Sequence, residues 1–137
     1  GGVTGSIGMG SQGYNGGAGT SKSPPGIYGA GAGGGSGEVG ESASATQASG
    51  GDGLENDIIE SGTNIFYGGG GGAFFHPSQD TGGGQGGQGG GGKGGVDQTQ
   101  GTDGLGGGGG GSNGLASAPY PGTIGGTGVC IFRYKYK

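Results

Sequence analysis

Between residues 82 and 95 the chain reads GGGQGGQGGGGKGG, a tract with almost no side chains from which to build a core. It stands between the glycine runs at 68–72 and 106–111. Glycine loses more conformational freedom on ordering than any other residue, at roughly 1–2 kcal/mol for each backbone fixed. The tract is therefore either disordered or held by a regular lattice of backbone hydrogen bonds. The regular structure open to it is a polyproline-II-like helix, with three residues per turn, a rise of about 3.1 Å and no internal hydrogen bonds. Its amides all point outward, to neighbours.

With 50 glycines and 5 prolines in 137 residues, the chain passes the roughly 25–30% at which low complexity becomes the default reading. We read the tracts as ordered rods, packed backbone against backbone. A collagen triple helix is excluded, because it needs glycine at every third position and abundant proline, whereas these glycines run five and six together. Hydrophobic residues make up 26% and tryptophan is absent, so side-chain burial accounts for only part of the fold. Hydrogen bonds and weak Cα–H···O contacts must supply the rest. The fold expected is mostly irregular and all-β-like, a sandwich of polyglycine-II helices with a few short strands and essentially no α-helix.

The length allows one domain, and we expect residues 1–137 to be a single glycine-rich domain, the C-terminal part of a longer polypeptide. A net charge of −4 with a single arginine, Arg133, leaves no surface for neutralising phosphates, so nucleic acid is not expected as a partner. No apolar run approaches the ~20 residues of a membrane-spanning helix, so membrane insertion is not expected either. Cys130 has no partner for an internal disulfide and reads as a small buried hydrophobe.

Rod followed by loop is the organising rule. Residues 1–19 read as extended glycine helices with short turns, and 20–28 as a loop stiffened by Pro24 and Pro25. Residues 29–37 form the first dense rod, with Ala30 and Ala32 expected to face outward. The polar stretch 38–49 reads as a solvent-facing loop. Residues 50–67 hold Leu54, Ile58, Ile59, Ile65, Phe66 and Tyr67, and suggest a short hairpin or two irregular extended pieces supplying part of the side-chain core. Rods at 68–72, 82–95 and 106–111 alternate with loops at 73–81, 96–102 and 115–123. In the long tract Gln85 and Gln88 are three apart and share one edge of a threefold helix. They and Lys93 are expected at an open edge of an otherwise interior rod. Residues 129–136, VCIFRYKY, alternate as a strand, expected to be buried at its start and exposed at its end.

No catalytic, metal or cofactor site is expected. A rigid nucleophile turn of the form G-x-S-x-G is missing, and residues 50–55 match the glycine-rich calcium repeat only once and imperfectly. The phosphate loop G-x-x-x-x-G-K-[ST] fails at Gly94. What remains is surface. Tyr28, Phe74, Phe75, His76 and Tyr120 lie in the inter-rod loops beside prolines, and aromatics on stiff loops offer contact area at low ordering cost. The alternative for these rings is to cap rod ends, and for His76 to be a plain loop residue.

Gly50, Gly51, Gly53 and Leu54, then Tyr67 running into glycines 68–72, and finally residues 128–134, GVCIFRY, resemble a glycine-rich domain. It is found at the C-termini of bacteriophage tail-fibre and other virion appendage proteins. The resemblance covers roughly the last 90 residues, and its closing strand is its most specific part. Tip adhesins with stacked polyglycine-II sandwiches are similar in design, as is the glycine-rich ligand-binding domain of the anaplastic lymphoma kinase receptors. The resemblance implies a non-enzymatic, extracellular tip domain on a virion, with rods as scaffold and the loops 20–28, 73–81 and 115–123 reading a host-cell receptor, a protein or glycan of the outer surface. It also implies contact with the rest of a fibre or with further copies of the chain. Two other readings are open: a structural subunit of a filament or matrix, and an ice-binding bundle similar to the glycine-rich antifreeze proteins of springtails.

Overall fold

The structure is a computed structural model that describes residues 12–22, 27–43, 47–76, 83–112 and 121–135. Among them there is no helix, and the regular strands are short. They are β1 (Thr20–Lys22), β2 (Ile27–Gly29), β3 (Leu54–Asn56), β4 (Ile65–Tyr67) and β5 (Phe75–His76). All pairing between them is antiparallel, in a sheet ordered β1-β2-β5 and a hairpin β3-β4.

Most of the molecule is made of glycine-rich segments that cross-bond through their backbones, and each sheet is the flattened end of such a pairing. Segments 13–19 and 30–36 run antiparallel, with the Tyr14 amide donating to Gly35 O and that of Gly17 to Ala32 O, both at 2.8 Å. The same register continues to Thr20 opposite Gly29 in β1-β2. Segments 30–36 and 68–74 are joined from Ser36 to Gly68 O (2.9 Å), Gly33 to Gly71 O (2.9 Å) and Ala30 to Phe74 O (3.2 Å), and continue to Tyr28 opposite His76. Segments 48–53 and 68–74 pair from Ala48 opposite Ala73, through Gly70 N to Gly51 O (2.8 Å), to Leu54 opposite Tyr67.

Donors recur every third residue along each contact, which lets a segment bond to several neighbours around its axis. A pleated strand bonds only in the plane of its sheet. Where glycine gives way to residues such as Ile27, Tyr28, Ile65, Phe66 and Tyr67, the bundle therefore becomes sheet.

Segment 68–74 is the centre. Beyond the two neighbours already named, it bonds to 83–88 (Gly87 N to Gly70 O, 2.9 Å), to 90–95 (Gly72 N to Gly92 O, 2.9 Å) and to 106–112 (Gly111 N to Gly72 O, 2.9 Å). Around that group lie 37–43, 98–102 and 121–127. The tract 82–95, expected to be one interior rod, is two antiparallel segments. Gly89 and Gly90 have φ of 94° and 92°, a conformation glycine adopts freely, and they reverse the chain so that Gly94 N reaches Gly84 O at 3.0 Å. Gln85 and Gln88 are exposed, as expected, and Lys93 is half-buried.

Other expectations are corrected. Within the stretch 38–49, the described residues 38–43 and 47–49 are not a free loop: Glu41 N donates to Ser49 O and Ala32 N to Glu41 O, each at 3.0 Å. Residues 98–102 likewise belong to the bundle, with Thr102 N on Gly90 O at 2.8 Å. Ala32 does not face outward. With Ala48 and Ala73 it forms the buried apolar core, because a methyl is the largest group found between segments at this spacing. The hairpin residues supply no such core, since Leu54 and Ile59 are 58% and 59% exposed.

The strand expected at 129–136 is absent from the described residues 129–135. Backbone bonding stops at Thr127, whose carbonyl accepts from Gly104 and Gly106. A strand without a partner has no ladder to hold it, and β3 and β4 are paired with each other. Val129 and Phe132 are exposed, as is Cys130, which is therefore not the buried hydrophobe its composition suggested.

Candidate functional site

The ladder directions sort the chain into two ends. Thr20, Gly29 and Phe74 share one end by their registers. Ala48 and Gly84 join Ala73 there, since Ala73 N donates to Ala48 O (3.0 Å) and Gly84 N to Ala73 O (2.8 Å). Segment 106–112 runs parallel to 68–74, which puts Ser112 at this end, and Thr123 N on Gly110 O (3.1 Å) brings 121–123 to it as well. The flanks of all three candidate loops, 20–28, 73–81 and 115–123, thus meet at one end of the bundle. The β3-β4 hairpin, the turns at 36–37, 88–90 and 102–106, and the tail 128–135 lie at the other.

At the loop end the three-stranded sheet gathers the candidate aromatics. Tyr28 stands in register opposite His76, and Ser21 opposite Tyr28, forming one row across the sheet. Phe75 stands opposite Gly29 in the next row. Phe74, half-buried, ends the central segment. Tyr28, Phe74, Phe75 and His76 are therefore neighbours through the pairing of residues nearly fifty apart. Tyr120 lies outside the described residues; the positions on either side, Ser112 and Pro121, belong to segments that finish at this end.

Polar side chains stitch the rim. Thr123 Oγ1 donates to Thr99 O at 2.7 Å, Gln98 Nε2 to Pro121 O at 2.7 Å, and the Lys93 amide donates to Thr99 Oγ1 at 2.9 Å. Lys93 Nζ and Asp97 form an exposed ion pair at 3.3 Å, a contact worth little by itself. Sequence reasoning missed this rim, having taken 96–102 for a free loop. The signal available was the hydroxyl-bearing Thr99 and Thr102 three apart, the spacing of one segment face.

At the opposite end Ser36 Oγ accepts the Leu54 amide at 2.8 Å and donates to Tyr67 O at 2.5 Å, tying the hairpin to the bundle. Asp52 accepts both the amide and the side chain of Gln88, at 2.7 and 3.1 Å. Asp103 accepts the Thr127 amide at 2.8 Å, and this bond, helped by the Thr127 hydroxyl, holds its carboxyl below the ordinary carboxylate range. Tyr14, Val39, Leu54, Ile59, Val129, Phe132 and Tyr134 are all more than half exposed at this end. A cleft of about 420 Å³ opens there, lined by Leu54, Ile58, Tyr67, Leu105, Val129 and Ile131 among others. Among the described residues, no three His, Cys, Asp or Glu side chains gather as metal ligands would.

Comparison of the chain with protein-family models, with curated proteins and with solved structures finds no match in any of the three.

Proposed function

We propose that this chain is a non-enzymatic receptor-binding tip domain of a bacteriophage tail fibre or related virion appendage, built on a polyglycine-II sandwich. The scaffold reading is supported by donors recurring every third residue and by segment 68–74 bonding to five neighbours, an arrangement suited to a threefold helix. The observation that supports the function is that the described flanks of all three candidate loops lie at one end. Tyr28, Phe74, Phe75 and His76 are assembled there, while the exposed apolar residues of the hairpin end face away from it. A displayed end and an attaching end are what a fibre tip needs. The attaching end would contact the rest of the fibre or further copies of the chain, and the loop end a protein or glycan of the host surface.

The test is adsorption. Replacing Phe74, Phe75 and Tyr120 together by alanine should reduce binding to host cells at least tenfold, since buried aromatic anchors are commonly worth 2 kcal/mol or more each. Unchanged adsorption by a folded variant would remove these loops as the reader.

A second reading, a structural filament or matrix subunit, is favoured by the apolar hairpin end alone. It predicts that the chain stays associated even in dilute solution, and light scattering that shows a folded monomer there would dismiss it.

A further inference from the structure

The tail 129–135 carries two unlike rows of side chains. Val129 and Ile131 line the cleft at the hairpin end together with Leu54, Ile58 and Tyr67. Arg133 Nη2 donates to Ser61 Oγ in the hairpin turn at 3.2 Å, so these alternate residues face the hairpin. Between them Cys130 is exposed, and Phe132 and Tyr134, at 85% and 82%, are more exposed than any other large apolar side chain among the described residues. Side chains that alternate between two faces are the mark of a strand. Yet no backbone amide or carbonyl of 129–135 has a partner among the described residues. The tail thus has a strand's side-chain placement with both of its edges open, and an open edge is a template for pairing with another chain.

The sequence of the tail fits a copy of itself. Set antiparallel to a second tail with Phe132 opposite Phe132, it places Cys130 against Tyr134, Ile131 against Arg133 and Val129 against Lys135. The outer face then carries one continuous row of Cys130, Phe132 and Tyr134 from both copies, and aromatic cross-strand pairs are among the stabilising ones. On the inner face no cation meets a cation. Arg133 and Lys135 of each tail come instead beside Ile131 and Val129 of the other, over a hairpin that presents Glu55, Asp57 and Glu60, all exposed. The charges are complementary. Centring the pair on Arg133 would oppose two guanidinium groups, which is destabilising, and centring it on Ile131 would leave Tyr134 facing Gly128.

We propose that the hairpin end is a twofold interface, in which residues 129–135 of two copies of this chain pair as an antiparallel ribbon centred on Phe132. The proposal rests on reading that end as the attaching one, and it names what attaches there. A twofold contact is closed, so it produces a pair and not a filament. The loop end stays free.

Sedimentation of the full-length chain over a concentration series should show a monomer–dimer equilibrium. A chain that stays monomeric throughout, or that grows past the dimer, would overturn the proposal. Phe132→Ser should weaken the dimer at least about tenfold, and dimerisation equal to that of the native chain would overturn it. The variant with Phe74, Phe75 and Tyr120 replaced by alanine should pair as the native chain does, so that loss of adsorption and loss of pairing are read separately. Two double variants test the register. On oxidation, Cys130→Ser with Phe132→Cys should cross-link into a dimer, because its two thiols stand opposite each other, while Cys130→Ser with Val129→Cys should not. Equal cross-linking of the two, or linkage of the second alone, would contradict the ribbon. Unchanged protection of the Gly51 and Gly87 amides shows the bundle intact in each variant. A ribbon of two strands opens whenever the pair dissociates, so its amides exchange faster than those of the bundle and slow down as concentration rises.

Discussion

A hydrogen atom in place of a side chain is the structural currency of this protein, and its value differs from glycine to glycine. A methyl at Gly70 would stand 2.1 Å from Gly33 O, and one at Gly71 2.0 Å from Gly109 O. These are backbone atoms with no rotamer to turn away, so the segments must separate and their hydrogen bonds lengthen. At Gly128 a methyl meets nothing within 4 Å and the backbone is not in the left-handed region. We expect Gly70→Ala to destabilise by more than about 3 kcal/mol, at the upper end of overpacking costs, and Gly128→Ala to stay within about 0.5 kcal/mol. Thermal unfolding of the two variants checks this, and similar midpoints would show that glycine is not required by packing. Composition announced the importance of glycine, but ranking the positions needed neighbours that no local window contains.

At the scale of elements, what was legible and what was not divides along the same physical line. The absence of helix among the described residues, the extended character of 50–67, which left a hairpin and two separate pieces both open, and the exposure of Gln85 and Gln88 follow from local pattern along one stretch. The segments at 37–43 and 98–102 were hidden because few glycines, as at Gly37 and Gly40, are enough to pack against several neighbours, and the surrounding Glu38, Val39 and Glu41 read as loop. The reversal at Gly89 and Gly90 was hidden because a glycine run gives no sign of where its φ changes hand. The tail erred in the other direction: 129–135 has strand composition, yet a ladder depends on a partner elsewhere. Asp103 shows how a turn is closed instead by a side chain. Its carboxyl is held below the ordinary range by Thr127, so its contribution is fully present above the unfolded value of about 3.9 and is lost as pH falls through the lower folded value. Stability of the native chain should therefore decline on acidification below about pH 4 more steeply than that of Asp103→Asn. Parallel acid limbs in the two unfolding profiles would contradict this role.

Across the whole molecule, alternating segment directions give the bundle two unlike ends. The candidate aromatics were legible as loop residues, but their meeting was not, because Tyr28 and His76 are brought into register only by the central segment bonding to 30–36. Tyr120 keeps its place in the proposal through the segments that flank its loop. Opposite lies a face of Leu54, Ile59, Val129, Phe132 and Tyr134, large apolar residues that add nothing to the small buried core found among the described residues. Everything depends on glycine tracts being the most ordered part of the chain, the reverse of what glycine content ordinarily means. Residue-resolved amide exchange of the full-length protein measures this directly. The account predicts that the amides of Gly33, Gly51, Gly70, Gly72, Gly87, Gly92 and Gly108, all donors to neighbouring segments, exchange more slowly than those of the exposed tail 129–135. Glycine amides exchanging at the rate of an unstructured chain, with protection confined to the short strands, would contradict it.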